Sequence, residues 1–94
     1  MFILQIEHEV PRFDGWKKAF ENDPADRKKA GVQHYKIFQR TDNPNFVIID
    51  LEFEELKSAE NMLVSLQALW KNVDGKIIMN PKSRILRLIE SKNV

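Results

Sequence analysis

The sequence predicts an α+β fold of ferredoxin-like βαββαβ topology, with helices covering one face of a four-stranded antiparallel sheet. Four segments of the 94 residues alternate apolar and polar side chains, as half-buried strands do. Two further stretches carry apolar residues three and four positions apart, which is typical of amphipathic helices. Their order along the chain is that of the split βαβ arrangement, whose usual strand order is 4-1-3-2. We expect residues 1–94 to form a single domain.

The first strand is predicted over residues 1–10, and Pro11 ends it because proline has no N–H for the sheet ladder. Its alternation separates His8 from its two acidic neighbours, Glu7 and Glu9, because successive side chains point to opposite faces. The apolar face comprises Phe2, Leu4, Ile6, His8 and Val10. The strand therefore assigns the histidine and the carboxylates to different environments.

Two short helices are predicted next. Asp14 is a suitable N-cap for a helix over residues 15–22, whose inner face carries Trp16, Ala19 and Phe20. Residues 23–24 (Asp-Pro) predict a restart of the helix, since aspartate caps and proline suits the first helical position. Gly31 is expected to close this second helix as a C-terminal glycine.

The second half of the chain predicts two strands, a long helix and a last strand. Strands over residues 32–40 and 46–54 are joined by a turn at 41–45, which is rich in turn-forming residues. Ser58 is a candidate N-cap for a helix ending near Trp70. Residues 71–82 are irregular, and the last strand is expected over 83–90. The apolar stripe of the helix comprises Ala59, Met62, Leu63, Leu66, Leu69 and Trp70.

The sheet face away from the helices is predicted to be acidic at its centre. Glu7 and Glu9 lie there beside Asp50 and Glu52 of the third strand. One interpretation is a solvated face. The other is an interface between the sheets of two subunits, whose buried charges require partners. Acid/base catalysis by these carboxylates is the less favoured role, because stacked sheets leave no open cleft. The candidate basic partners are Arg84 or Arg87 on one side and Lys36 or Arg40 on the other.

Composition excludes several classes of function. The 15 basic and 14 acidic residues nearly balance, so no overall charge attracts nucleic acid or anionic membranes. The chain contains no cysteine, which excludes disulfides and thiolate chemistry. An RNA-recognition sheet shows aromatic and basic residues where this one shows carboxylates. No histidine spacing matches a metal motif, and no signal peptide or membrane segment is expected, so the expected location is cytoplasmic.

Several short motifs occur in the order of the predicted elements. They are His8-Glu9-Val10, Phe13-Asp14-x-Trp16, Phe20, Pro24, Gly31 and Asp42-Asn43-Pro44-Asn45. In this order the chain resembles the dimeric α+β barrel superfamily, and more narrowly the small proteins related to antibiotic biosynthesis monooxygenases. The resemblance implies a homodimer with its sheets packed face to face and an apolar pocket in each subunit. Its members include cofactor-independent oxygenases, haem-degrading enzymes and polyketide cyclases, so it implies an architecture and not one reaction.

The candidate pocket residues each have two interpretations. His8 could act as a general base or hydrogen-bond a ligand, or it could tie the end of its strand to a helix. Trp16, Phe20 and Trp70 could form the wall of a site for an aromatic molecule, or they could simply fill the core. His34 and Tyr35 point to opposite faces of their strand, and the sequence does not decide which of the two faces the core.

The leading functional hypothesis is a homodimeric protein that binds a small apolar or aromatic molecule between helices and sheet, without a cofactor. The alternative is a cofactor-independent monooxygenase or isomerase acting on a phenol or quinone-like substrate, with His8 as the base. A structural dimer with a filled core is a further hypothesis. Whether the protein is an enzyme is not decided by the sequence.

Overall fold

The computed structural model describes residues 1–23, 25–73 and 75–94. The strands pair antiparallel in the order β2-β3-β1-β4, which confirms the ferredoxin-like fold and the expected strand order. No helix in the described part of the chain is long and apolar enough to cross a membrane. The elements in chain order are β1 (Phe2–Glu9), α1 (Phe13–Glu21), α2 (Arg27–Ala30), β2 (Val32–Arg40), β3 (Asn43–Phe53), α3 (Leu56–Val73) and β4 (Met79–Arg87).

The core lies between the helices and one face of the sheet, as the alternation predicted. The central strands β1 and β3 run in register, so that their apolar side chains form one continuous surface. Trp16 of α1 and a stripe on α3 cover that surface. The buried apolar residues are Leu4, Ile6, Val10, Trp16, Val47, Ile49, Leu51, Phe53, Ala59, Met62, Leu66 and Ile78.

Strand β2 turns Tyr35 toward the helices. Tyr35 pairs with Leu51, whose side chain is in the core, and its ring contacts the Phe20 ring at 5.1 Å between centroids. His34 pairs with Glu52 and shares the opposite face. The question that the sequence left open about this strand is thus answered by its register with β3.

The predicted starts of the first two helices are wrong. Helix α1 begins at Phe13, and Asp14 lies in its first turn, where its charge complements the helix dipole, and not at the N-cap. Helix α2 is confined to Arg27–Ala30, because Asp23 and Asp26 both adopt positive φ angles, 52° and 50°, that interrupt a helix. The predicted role of Pro24 lies outside the described residues.

The boundaries of the later elements also differ from the prediction. The hairpin turn is shorter, because β3 starts at Asn43 and pairs that residue with Arg40. Helix α3 starts at Leu56, so Ser58 lies within its first turn and is not its cap. The helix also extends past Trp70 to Val73. Leucine and lysine are good helix formers, so the helix begins before the serine that the pattern marked.

Strand β4 begins four residues earlier than predicted, at Met79, and ends at Arg87. Its start is determined by pairing with β1, where Met79 meets Glu9 across a register shift. Pro81 is tolerated inside the strand because β4 lies at the edge of the sheet, where a missing N–H breaks no ladder on the outer side.

Gly31 provides a test of how α2 joins β2. Its φ of +100° is unfavourable for other residues, and a Cβ at this position would lie 3.3 Å from the Ser58 Cβ. We expect Gly31→Ala to lower the free energy of unfolding by about 1–2 kcal/mol in urea denaturation. Gly15→Ala is the matched control, because a Cβ on this exposed helical glycine meets nothing within 4 Å. It should stabilise by up to about 1 kcal/mol. Equal effects of the two substitutions would contradict the backbone argument.

Candidate ligand pocket

A cavity of about 340 Å³ lies between the helix-covered face of the sheet, α1, α3 and the segment before β4. This volume is near the lower end of the range for small-molecule sites, about 300–1,000 Å³. The hypothesis of a purely structural dimer requires a completely filled core. The cavity shows that the core is not completely filled. The residues that line the cavity are Ile6, His8, Trp16, Ala19, Phe20, Asn22, Ala25, Arg27, Ile49, Leu51, Met62, Leu66, Leu69, Trp70, Ile77 and Ile78.

His8 is the one buried polar residue among those described, and only 4% of its surface is exposed. Strand β1 directs it to the helix side, opposite Val47, where its ring meets Trp16 edge-on at 5.6 Å between centroids. Its Nδ1 atom is buried and has no hydrogen-bond partner among the described residues. Buried polar atoms in folded proteins are nearly always hydrogen-bonded, so this nitrogen requires an explanation.

Burial lowers the pKa of His8 below its usual 6.5, and a hydrogen bond with the backbone of Glu9 partly opposes this effect. The physical cause is the cost of placing an imidazolium ion among apolar side chains. The ring is consequently neutral at pH 7. One nitrogen of a neutral imidazole can accept a hydrogen bond while the other donates one. The site can therefore hold a hydroxyl group or receive a proton.

The aromatic side chains form a connected row beside the cavity. Trp16 contacts Phe20 at 5.2 Å and Phe13 at 5.8 Å between ring centroids. Phe20 in turn contacts Tyr35. Trp16 is buried, whereas Phe20 and Trp70 are half-buried and pack against the edge of the core. Trp16, Phe20 and Trp70 thus pack in or against the core and also line the cavity. The two roles that the sequence suggested for them, core packing and the wall of a ligand site, do not exclude each other.

Arg27 lines the cavity, and the sequence analysis missed it. Its guanidinium carbon lies 3.9 Å from the centroid of the Phe20 ring and 5.2 Å from that of Tyr35. Nη1 donates to the Phe20 carbonyl oxygen at 2.8 Å and lies 3.4 Å from a carboxylate oxygen of Asp23. The only sequence signal was its position four residues after Asp23, a spacing that brings side chains together on one turn.

The segment before β4 forms another part of the wall. Ile77 and Ile78 both line the cavity, and Ile78 is only 4% exposed. The Gly75 N–H donates to the Ile78 carbonyl oxygen at 2.6 Å, which holds this turn. The pair of adjacent isoleucines was the available signal within the irregular segment 71–82.

The predicted interface carboxylates lie on the face opposite the cavity. Arg84 connects two of the strands there, since Nη2 pairs with Glu7 and Nη1 donates to the Gln5 side chain at 2.6 Å. Gln5 then donates to Asp50 at 2.9 Å. These carboxylates are thus separated from His8 by the sheet, and none of them can orient its ring.

The other candidate basic partners differ in whether they contact these carboxylates. Lys36, one of the two basic partners that the sequence suggested on that side, pairs with Glu52 at 3.2 Å. Arg40 instead pairs with Asp42. Arg87 is opposite Phe2, on the helix-covered face, and its guanidinium lies over the Phe2 ring, so it is not a partner of these carboxylates. Glu9 is exposed at the end of its strand. Among the described residues no cluster of three or more potential metal ligands is found.

Comparison with known proteins identifies the fold. No protein-family model matches the sequence, and no curated protein matches it. A candidate antibiotic biosynthesis monooxygenase from Deinococcus radiodurans has a TM-score of 0.69 at 11% identity, covering 100% of this chain and 98% of that chain. SnoaB, a cofactor-independent oxygenase from Streptomyces nogalater, has a TM-score of 0.73 at 9% identity, with coverages of 96% and 94%. Rv0793 from Mycobacterium tuberculosis has a TM-score of 0.60 at 12% identity, with coverages of 99% and 100%.

The chain therefore has the fold of the antibiotic biosynthesis monooxygenase-like, dimeric α+β barrel proteins, which confirms the fold that the sequence resemblance implied. The similarity extends over nearly the full length of each chain. At these low identities it concerns the fold alone, and the chemistry of this protein has to be argued from its own pocket.

Proposed function

We propose that this protein is a homodimeric binding protein for a small, flat, apolar molecule that carries a hydroxyl or carbonyl group. The observation that supports this most directly is the position of His8, the one buried polar side chain among the described residues, in the wall of a largely apolar cavity. A polar group of a bound ligand would hydrogen-bond to the imidazole ring. The apolar body of the ligand would lie against Trp16 and Trp70.

Binding would combine two kinds of interaction. Removing the apolar surface of the ligand from water contributes most of the affinity, at roughly 25 cal/mol per Å². The hydrogen bond at His8 would add selectivity, because an unpaired buried polar atom costs more than a paired one. Few polar groups in an otherwise apolar pocket are the usual arrangement for orienting a ligand.

The hydrogen bond to His8 is tested by comparing the affinities of two ligands, 2-naphthol and 2-methylnaphthalene. They have nearly the same shape, but 2-methylnaphthalene has no hydroxyl group. His8→Phe should weaken binding of 2-naphthol by about 5- to 30-fold and leave 2-methylnaphthalene nearly unchanged, because only the hydrogen bond is lost. The measurement is isothermal titration calorimetry. His34→Phe, the same substitution on the opposite face, is the control and should change neither affinity.

Two results would count against this proposal. Failure of both naphthalenes to bind the wild-type protein would remove the pocket as a site for flat apolar ligands. Equal losses for both ligands in His8→Phe would mean that the substitution alters the shape of the cavity and that no hydrogen bond to His8 contributes.

A second candidate function is cofactor-independent oxygenation of a phenol-like ligand in the same pocket. The lowered pKa of His8 supports it, because a neutral imidazole is available as a base at neutral pH. His8 would remove the hydroxyl proton, and the phenolate would be oxidised by O₂. One oxygen atom would form a new C–O bond and the other would leave as water, so that a phenol and O₂ give a quinone and water. SnoaB, with which this chain shares its fold, is a cofactor-independent oxygenase.

The prediction for oxygenation is oxygen uptake that depends on His8 and on pH. With a panel of naphthols and hydroquinones, the wild-type rate should exceed that of His8→Phe by about 100-fold or more. Since the base must be neutral and its pKa is lowered, the rate should fall only as the pH drops below 6.5. An oxygen electrode makes both measurements. Uptake that is equal in the two proteins at all pH values would rule out His8 as the base.

The dimer is proposed to form through the open face of the sheet. Ile48 lies there between Glu7 and Phe38 on the neighbouring strands, and Phe38 is 44% exposed. Glu7, Glu9, Asp50 and Glu52 would lie at this interface, and three of them already have hydrogen-bond partners within the subunit. Such pairing reduces the cost of burying the charges against a second sheet.

Light scattering after size exclusion tests the dimer. Ile48→Asp should convert a dimeric protein into a monomer, because it would bury an unpaired charge in the interface. The matched control is Val64→Asp on the exposed side of α3, where the valine is 66% exposed. This variant should remain dimeric. A wild-type protein that is monomeric at micromolar concentration would overturn the proposed assembly.

A further inference from the structure

We propose that Arg27 makes the pocket selective for ligands with an anionic group, so that the natural ligand is an aromatic or apolar carboxylic acid. This inference rests on the proposed function, since it assumes that the cavity is a ligand site. It goes further by naming the ligand class and a residue that determines specificity.

Arg27 and His8 lie at opposite ends of a row of aromatic rings. His8 contacts Trp16, Trp16 contacts Phe20, and the guanidinium of Arg27 lies over Phe20. All four side chains line the same cavity. A flat ligand lying along the rings would therefore have one polar end near the imidazole and the other near the guanidinium.

The guanidinium retains donors for a ligand. It has five N–H groups, and both of its interactions with protein oxygens involve Nη1. Nε and Nη2 have no hydrogen-bond partner among the described residues. These two atoms form the side of the guanidinium that binds a carboxylate with two parallel hydrogen bonds. Stacking on Phe20 and Tyr35 holds the group in position without using those donors.

The charge of the lining favours an anion. Arg27 is the only lining residue with a formal charge among those described, because His8 is neutral and the others are apolar or amide side chains. Asp23 offsets the charge only in part, since its carboxylate lies 3.4 Å away and about a third of that side chain is exposed. A ligand carboxylate would thus meet an incompletely neutralised cation beside an apolar cavity.

Arg27 also has a structural role, because its bond to the Phe20 carbonyl ties α2 to the end of α1. A structural role alone predicts that its replacement weakens all ligands alike. Selectivity for anions predicts a loss that is confined to charged ligands. The two possibilities are separated by a pair of ligands that differ only in charge.

The test uses 2-naphthoate and its neutral amide, 2-naphthamide, in calorimetric titrations at pH 7. We expect the wild-type protein to bind the acid about 10- to 100-fold more tightly than the amide. In Arg27→Gln this preference should fall to less than about threefold, while the affinity for the amide stays within about twofold of wild type. Arg27→Lys should keep part of the preference, because the charge remains but the paired donors are lost. Arg40→Gln, which removes a positive charge that does not line the cavity, should keep all of it.

The possible failures can be told apart. Binding of both probes to the wild type with equal affinity overturns the role of Arg27 and leaves the pocket as a ligand site. A preference that survives in Arg27→Gln overturns it as well. Absence of binding by either probe and by 2-naphthol would overturn the proposed function itself, and the inference with it.

Discussion

The two-residue alternation of β1 is the constraint on which the rest of the structure depends. This strand is central in the sheet and pairs with both β3 and β4. Its side chains alternately face the helices, where Leu4 and Ile6 build the core, and the open face, where Gln5 and Glu7 join the polar network. A shift of one residue in its pairing would exchange the two sets. The burial of His8 and its separation from the carboxylates follow from this register.

The sequence was sufficient to predict the sheet and the faces of its two central strands, because alternation is a local property that burial enforces along a whole strand. It was less informative about where elements begin. Asp23 was the predicted cap of the second helix, but that helix starts later and its N-cap is Asp26, whose side chain accepts a hydrogen bond from the Lys29 N–H. The start of β4 depends on its partner strand, which no local pattern encodes.

The candidate site was predicted in part for the same reason. His8, Trp16, Phe20 and Trp70 stand at positions whose orientation follows from strand or helix periodicity, and all four line the cavity. Arg27 could not be assigned to the site, because its position over the Phe20 ring is a tertiary contact that no periodicity encodes. Periodicity therefore identifies pocket residues on regular strands and helices better than residues that reach the pocket from the segments between them.

The environment of His8 also bears on the choice between binding and catalysis. Burial keeps the imidazole neutral, but the same effect makes it a weaker base than a histidine in water. An ordinary phenol has a pKa near 10, so proton transfer to a group with a pKa below 6.5 is uphill by at least about 5 kcal/mol. Hydrogen bonding to the neutral ring has no such cost. The pocket thus favours binding of simple phenols, and the rate of oxygenation should rise with the acidity of the substrate's hydroxyl group.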